Sequence, residues 1–297
     1  MAKERAADKV ERLQNLAPFP KAQVDYALRL VETERHPDVS QAALDVLAGA
    51  SDPRVRATLL ERYTFLEGDP TRRDAGCFGR AAILKALRDM ARQDDAALLE
   101  RAVSTYEFLP PGRLEDSEVA AGLRSVALVT LNEIDETLAA YHAVRLLHDR
   151  FTSRMSGEPA VTAAQVLASQ GHALPLYAYV LGDAGLVPEV VAECLRHLTA
   201  IPTSLLAPLV DRYVSSEDEL ILLGLFDLLL AHEAKAAFAT VVLDFLRTTS
   251  LTNMYRYLVN TVVADRRVEL IEPLYVLAQN EQDRDKATIL REALALL

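Results

Sequence analysis

Apolar residues recur along most of this chain with the spacing of one face of an α-helix, and the pattern is clearest in its second half. Proline-leucine pairs open apolar segments at Pro175, Pro208 and Pro273, and Val241 takes the matching place between the last two. These four anchor positions are separated by 33, 33 and 32 residues. A fixed period in this range is typical of stacked helical repeats. The pattern therefore predicts a repeat architecture.

Positions counted from the four anchors behave alike in each copy. Positions −3, +1, +2 and +5 are mostly apolar, which is the stripe that an amphipathic helix turns toward a core. Positions +3, +4 and +6 are predicted to face outward. Proline fits the first turn of a helix, where its missing N–H has no helical partner. Each anchor is therefore predicted to lie in the first turn of the second helix of a two-helix repeat.

The same periodicity predicts helices along the whole chain and no strand. The predicted helix pairs are 37–49 with 53–66, 76–92 with 95–108, 117–132 with 135–150, 159–170 with 173–182, 188–199 with 203–214, 217–231 with 235–248, and 252–264 with 267–279. Single helices are predicted near 3–16, 20–34 and 283–297. We interpret residues 1–297 as one domain, with capping helices in 1–35, repeats in 36–280 and a C-terminal cap in 281–297.

Three features resemble the HEAT repeat family, particularly the short repeats of phycobilisome lyases. They are "DPRVRATLLERY" (52–63), "VPEVVAECLRHL" (187–198) and the proline-leucine second helices. The resemblance covers nearly the whole chain from about residue 20. It implies an all-α fold of the ARM type, a right-handed α-solenoid of about seven two-helix repeats with terminal capping helices. Second helices in such arrays line a concave surface that is suited to binding.

Composition narrows the choice of partner. The formal net charge is −11, and nucleic-acid affinity depends on cations that replace counterions, so nucleic acid is an unfavoured ligand. The charged N-terminal stretch has no signal-peptide pattern. The longest apolar run, 220–231, contains Asp227 and is too short to span a bilayer. We therefore expect a cytoplasmic protein with no membrane association, and the sequence does not indicate its oligomeric state.

Motifs that carry chemistry are scarce in this sequence. There is no phosphate-binding glycine loop, no G-x-S-x-G elbow and no C-x-x-C pair. Cys77 and Cys194 fall among apolar helical positions and are predicted to be buried, as free cysteines usually are. His232-Glu233 is the only His-Glu pair, which is too little for the two-iron centre of HEAT-type hydroxylases. The sequence therefore predicts no catalytic residue, no metal and no cofactor.

A non-enzymatic protein–protein interaction scaffold is the function that this combination favours, with its partner on the concave face. Aromatic and arginine residues among carboxylates are typical of interface hot spots. The candidate partner-binding residues are Tyr179, Asp211, Arg212, Asp244, Phe245 and Arg247. In the alternative interpretation, Tyr179 and Phe245 pack between repeats while the charged residues only solvate the surface or pair locally. A second candidate patch consists of Arg72, Arg73, Lys85, Arg88 and Arg92, which could equally form a solvated face.

Two other functions remain open at this point. One is a lyase similar to the HEAT-type phycobilin lyases, which a bound chromophore in the purified protein would indicate. The other is a nucleic-acid-binding protein similar to the HEAT-like DNA glycosylases, although those use a basic surface with aromatic residues and this chain is acidic and has no tryptophan. Retention on heparin would indicate that second function.

Overall fold

The structure, a computed structural model, describes residues 5–109, 118–182 and 186–297, which form α-helices joined by turns and loops. This confirms the predicted all-α class; the described residues contain one isolated β-bridge, between Phe108 and Glu118, and no longer strand. The chain divides into two compact units. The N-terminal unit comprises Met1–Ser153 with Glu158–Val166, and the C-terminal unit comprises Arg154–Gly157 with Leu167–Leu297.

The N-terminal unit contains helices that pack in two interleaved series. They are α1 (Ala6–Asn15), α2 (Pro20–Thr33), α3 (Pro37–Ala48), α4 (Pro53–Glu67), the short α5 (Pro70–Arg73), α6 (Phe78–Leu87), α7 (Ala96–Val103), α8 (Ala121–Ile134) and α9 (Glu136–Leu147). Helices α1, α3, α6 and α8 contact one another in that order, and α2 contacts α4. Helices α7 and α9 both pack on α8.

The C-terminal unit shows the same alternation. Helix α10 (Ala160–Ser169) lies across the division between the units, and the helices that follow are α11 (Ala173–Leu181), α12 (Pro188–Arg196), α13 (Leu206–Tyr213), α14 (Glu219–Ala231), α15 (Ala239–Thr248), α16 (Thr252–Ala264), α17 (Val268–Asn280) and α18 (Arg284–Leu294). Helices α12, α14, α16 and α18 contact one another in sequence, and α15 contacts α17. Among the described helices, α12 and α14 share the most extensive contact.

Most predicted helices are found within a few residues of their predicted ends, because the apolar stripe that identifies them is also their buried face. Two predictions in the N-terminal unit need correction. The helix predicted over 76–92 is divided into α6 and a short 3₁₀ turn, Arg88–Met90. The helix predicted over 95–108 ends at Val103, and residues 104–109 are not helical. The first residue of the helix predicted over 117–132 lies outside the described residues.

The proline anchors occupy the predicted place in α11 and α13 but not in α17. Pro175 and Pro208 are each the third residue of their helix, and Val241 has the same place in α15. Pro273 lies inside α17, because this helix begins at Val268, one turn earlier relative to its anchor. The corresponding residues before α13 and α15 form 3₁₀ turns instead. The prediction of a first-turn proline is therefore wrong for the last copy.

Candidate partner-binding surfaces

A buried network of hydrogen bonds and ion pairs lies in the N-terminal unit. It surrounds residues 105–109, which we call the 105–109 segment. An antiparallel bridge joins Phe108 to Glu118, and the N–H of Val119 donates to the carbonyl of Glu107 at 2.9 Å. Tyr106 and Phe108 are exposed, whereas Glu107 between them turns inward. This alternation is that of a strand.

Arg80 of α6 anchors the segment from its buried side. Its side chain is 2% exposed, its Nε donates to Asp74 Oδ2 at 2.8 Å, and its two terminal nitrogens donate to the two Glu107 oxygens at 2.7 and 2.8 Å. Bidentate arginine–carboxylate pairs of this kind combine energy with fixed geometry. Burial pushes the pKa of Glu107 upward, but the hydrogen bonds and positive charge of Arg80 outweigh it, so this pKa lies below its usual range. Glu107 therefore stays ionised and anchored near neutral pH.

Arg124 of α8 holds the same segment through its backbone. Its side chain is 0% exposed, and one terminal nitrogen donates to the carbonyl of Thr105 at 2.9 Å. The guanidinium also forms a bidentate pair with Glu118 at 2.8 and 2.9 Å and lies 3.2 Å from Asp149. Two buried arginines thus fix the side chain of one segment residue and the backbone of another.

The outer surface of this segment is aromatic. The ring of Phe151 lies 5.6 Å from that of Tyr106 and 5.2 Å from that of Phe108, in tilted and edge-on arrangements. The Tyr106 hydroxyl donates to Asp149 Oδ2 at 3.0 Å and accepts from Arg145 Nη1 at 3.1 Å. Such geometries are favourable for aromatic pairs. Sequence reasoning missed this cluster, because it depends on α7 ending at Val103.

Cys77 lies beside this network, and its environment does not favour the reactive thiolate. Cys77 is buried, and its Sγ lies 3.2 Å from Arg80 Nη2 and 3.3 Å from Glu107 Oε2. Burial raises the pKa of the Cys77 thiol to about 12, although Arg80 opposes the change. Burial also raises the pKa of Cys194. Both thiols therefore remain protonated near neutral pH, and the prediction that both cysteines are buried is confirmed.

The second helices of the C-terminal unit carry the residues that the sequence nominated. Every position +1 is buried, namely Leu176, Leu209, Val242 and Leu274. Every position +3 is exposed, namely Ala178, Asp211, Asp244 and Val276. The predicted core position +2 is only half-buried in three copies and exposed at Tyr275, so the true apolar stripe is narrower than predicted.

Three of the nominated residues contact neighbouring parts of the C-terminal unit. Tyr179 is only 6% exposed, so its predicted outward position is wrong, and its hydroxyl lies 3.4 Å from the N–H of Val187. The Phe245 ring packs against Phe226 with centroids 4.6 Å apart. Arg212 donates to the carbonyl of Leu181 at 3.1 Å, at the end of α11.

Asp244 and Arg247 form an exposed ion pair three residues apart at 3.0 Å. Exposed pairs of this kind contribute little to stability. Asp211 is exposed on the same side of its helix, at the corresponding position +3. Asp211, Arg212, Asp244 and Arg247 are therefore the nominated residues with exposed side chains, and Arg212 is also held at the end of α11.

The second nominated patch, Arg72 to Arg92, consists of exposed side chains. Arg73 donates to the carbonyl of Phe65 at 2.7 Å and stacks on its ring with 4.1 Å between guanidinium carbon and centroid. Arg88 forms an ion pair with Glu133. Arg80, which lies within the same stretch of sequence, is buried in the network described above.

His232 and His197 have contacts that indicate structural roles. His232 is 1% exposed, its Nε2 lies 2.8 Å from the carbonyl of Ile201, and its Nδ1 accepts from the N–H of Ala234 at 3.0 Å. His197 pairs with Glu193 at 3.0 Å. No group of three or more histidine, cysteine, aspartate or glutamate residues that could hold a metal ion occurs within the described ranges. None of the helices described here is both long and apolar enough to cross a membrane.

Comparison with known proteins gives little further information. No family model matches the chain, and no curated protein matches it. Among solved structures, aminopeptidase A of Legionella pneumophila in complex with aspartic acid aligns with 14% sequence identity and a TM-score of 0.42. The alignment covers 100% of this chain and 39% of that protein. This similarity carries no conclusion about function.

Proposed function

We propose that this chain is a non-enzymatic interaction module that binds a protein partner. Its architecture in this proposal is a single right-handed α-solenoid of about seven HEAT-like helix pairs with terminal capping helices. The second helices line the concave face, and the partner binds there.

The observation that carries the proposal is the repeated polarity of the second helices in the C-terminal unit. Position +1 is buried and position +3 is exposed in all four copies, so α11, α13, α15 and α17 each turn a corresponding row of side chains outward. Arrays of stacked repeats expose extended surfaces of this kind and use them for binding. The interleaved contacts within each unit, with α12 on α14 and α14 on α16, also support stacked repeats.

Small-angle X-ray scattering tests the architecture. A single compact globule of 297 residues has a radius of gyration of about 19 Å. A solenoid of stacked pairs is longer in one direction, and we expect a radius of gyration clearly above that value, with a maximum dimension to match. A monomeric sample, verified by light scattering, that gives about 19 Å would contradict the proposed architecture.

Charge reversal on the exposed row tests the binding surface. The double variant Asp211→Arg with Asp244→Arg is expected to weaken capture of the partner by about tenfold or more, equivalent to about 1.4 kcal/mol. Its thermal stability should remain nearly unchanged, because exposed substitutions usually cost less than about 0.5 kcal/mol. The partner is first identified by affinity capture from the native cell with mass spectrometry.

A matched control distinguishes the effect of the mutated positions from the effect of the changed net charge. Glu217→Arg with Glu233→Arg changes the net charge by the same amount at exposed residues outside the second helices, and it should leave capture unchanged. Equal capture by both folded double variants would move the site away from this row. Arg72, Arg73, Lys85, Arg88 and Arg92 would then be the next candidates.

A further inference from the structure

The 105–109 segment forms an exposed aromatic surface that the second-helix row does not include. Tyr106 is 37% and Phe108 is 47% exposed, and both rings contact the half-buried ring of Phe151. A cluster of three aromatic side chains with two of them this open to solvent offers a hydrophobic anchor point. Large aromatic side chains contribute much of the binding energy at many protein interfaces.

Contacts within the protein hold the backbone of this surface and the inner side chain Glu107 in place. Glu107 is fixed by two hydrogen bonds from buried Arg80, and the carbonyl of Thr105 is fixed by buried Arg124. The bridge from Phe108 to Glu118 holds the other end of the segment. A surface held in this way loses little conformational entropy on binding, which favours affinity.

The exposed charged side chains that contact these rings are arginines. Arg145 and Arg150 are exposed, and Arg150 stacks on the Phe151 ring at 4.5 Å. Arg145 donates to the Tyr106 hydroxyl at 3.1 Å and to the carbonyl of Val103 at 2.9 Å, and within the described ranges neither Arg145 nor Arg150 forms an ion pair with a carboxylate. The carboxylates of Glu118 and Asp149 are 5% and 2% exposed and face Arg124 instead. A ligand at the rings therefore meets two outward cations, although the chain as a whole carries a net charge of −11.

We propose that this surface binds a short acidic peptide segment that carries an aromatic or leucine side chain. The apolar side chain of the peptide packs against Phe108 and Phe151, and its carboxylates pair with Arg145 and Arg150. Arginine forms planar, directional pairs with carboxylates, which suits this arrangement. The proposal rests on the proposed function only in that the ligand is a protein segment, since the surface is a different one.

An acidic peptide fits these observations better than a nucleic acid. Affinity for nucleic acid comes largely from many cations that neutralise successive phosphates. This surface presents two such cations on a protein of net charge −11. A peptide with a few carboxylates needs no more than that.

Selection from a random peptide display library tests the proposal. The full chain is the target, and the double variant Phe108→Ala with Arg150→Glu serves for counter-selection. We expect the enriched peptides to contain several Asp or Glu residues around an aromatic or leucine residue. Synthetic fluorescein-labelled versions of them should bind the full chain measurably in fluorescence anisotropy.

Single variants show which groups the selected peptides use. Phe108→Ala and Arg150→Glu should each weaken binding by about tenfold. Phe65→Ala is the matched aromatic control, because Phe65 is also exposed and stacked under an arginine, and Arg72→Glu is the matched charge control. Both controls should leave binding unchanged. Peptides with lysine in place of their carboxylates should lose affinity for the natural chain and regain it with Arg150→Glu.

Several outcomes would overturn the proposal: no enrichment over the counter-selected target, enrichment of basic peptides, or binding that ignores Phe108→Ala. Tighter binding of an oligo-thymidine probe, lost in the same variants, would assign the surface to nucleic acid instead. The outcome for the proposed function is separate. If Asp211→Arg with Asp244→Arg abolishes partner capture while no peptide binds the 105–109 segment, the proposed function stands and this inference fails.

Discussion

Replacing Gly224 by alanine is expected to destabilise the protein, although the same change stabilises most helices. Gly224 lies in the middle of α14, where a Cβ would come within 2.5 Å of the carbonyl oxygen and 2.6 Å of the Cα of Ala192. Both atoms belong to the backbone of α12, so neither can move aside without separating the two helices. Overpacking of this kind costs about 1 to 3 kcal/mol.

Contacts of 2.5 and 2.6 Å with backbone atoms place the overpacking cost in the upper part of that range, about 2 to 3 kcal/mol. Because alanine regains about 1 kcal/mol of helix propensity over glycine, the expected net loss for Gly224→Ala is about 1 to 2 kcal/mol. Gly224→Val adds bulk at the same point and should lose about 3 kcal/mol or more. Urea unfolding followed by far-ultraviolet circular dichroism measures both. Hydrogen exchange should show the largest loss of protection in peptides of α12 and α14.

Gly122 provides the matched control. It lies in the first turn of α8, is exposed, and would have no atom within 4 Å of an added Cβ. Gly122→Ala should therefore leave stability unchanged or raise it by up to about 1 kcal/mol. Equal effects at the two glycines would show that α12 and α14 are not in close backbone contact at Gly224.

The helices could be predicted from sequence because their signal is local. Apolar residues at helical spacing identify the buried face, and acidic residues or proline mark the start, as at Pro53 and Asp218. The end of α7 could not be predicted in this way. Residues 104–108 leave the helix because Arg80 and Arg124 bind Glu107 and Thr105, and these pairs are 27 and 19 residues apart in sequence. Tertiary contacts of this kind override local propensity.

The burial of Arg80 and Arg124 can nonetheless be inferred from the sequence around them. Arg80 is followed at three, four and seven residues by Ile83, Leu84 and Leu87, all buried. Arg124 is followed at the same spacings by Ala127, Leu128 and Leu131, also buried. Each arginine therefore occupies an apolar-stripe position of its own helix.

An arginine in such a position needs buried partners, since an unpaired buried charge is costly. This signal predicts burial, but it does not identify which carboxylates provide the pairing. The number of basic residues in a stretch does not reveal this burial. Between Arg72 and Arg92, Arg80 is buried while the other arginines are exposed.

Replacing Arg124 by methionine is expected to lower the unfolding free energy by about 3 to 5 kcal/mol, the usual cost of removing one partner of a buried ion pair. Methionine fills much of the same space and packs adaptably, so the cost does not come from a cavity. It comes from Glu118 and Asp149, which are 5% and 2% exposed and would lose their cation. The carbonyl of Thr105 would lose a donor at the same time.

Arg88→Met is the matched control, because it removes the same side chain from an exposed pair with Glu133. Exposed pairs contribute about 0 to 1 kcal/mol, so this variant should unfold almost as the natural chain does. Adding Glu118→Leu to Arg124→Met removes one of the stranded carboxylates and should recover part of the loss. Urea unfolding gives the three free energies, and hydrogen exchange should place the loss of protection around α8 and the 105–109 segment. If Arg124→Met costs no more than Arg88→Met, the guanidinium is hydrated rather than buried, and the fixed geometry of the 105–109 segment would need another cause.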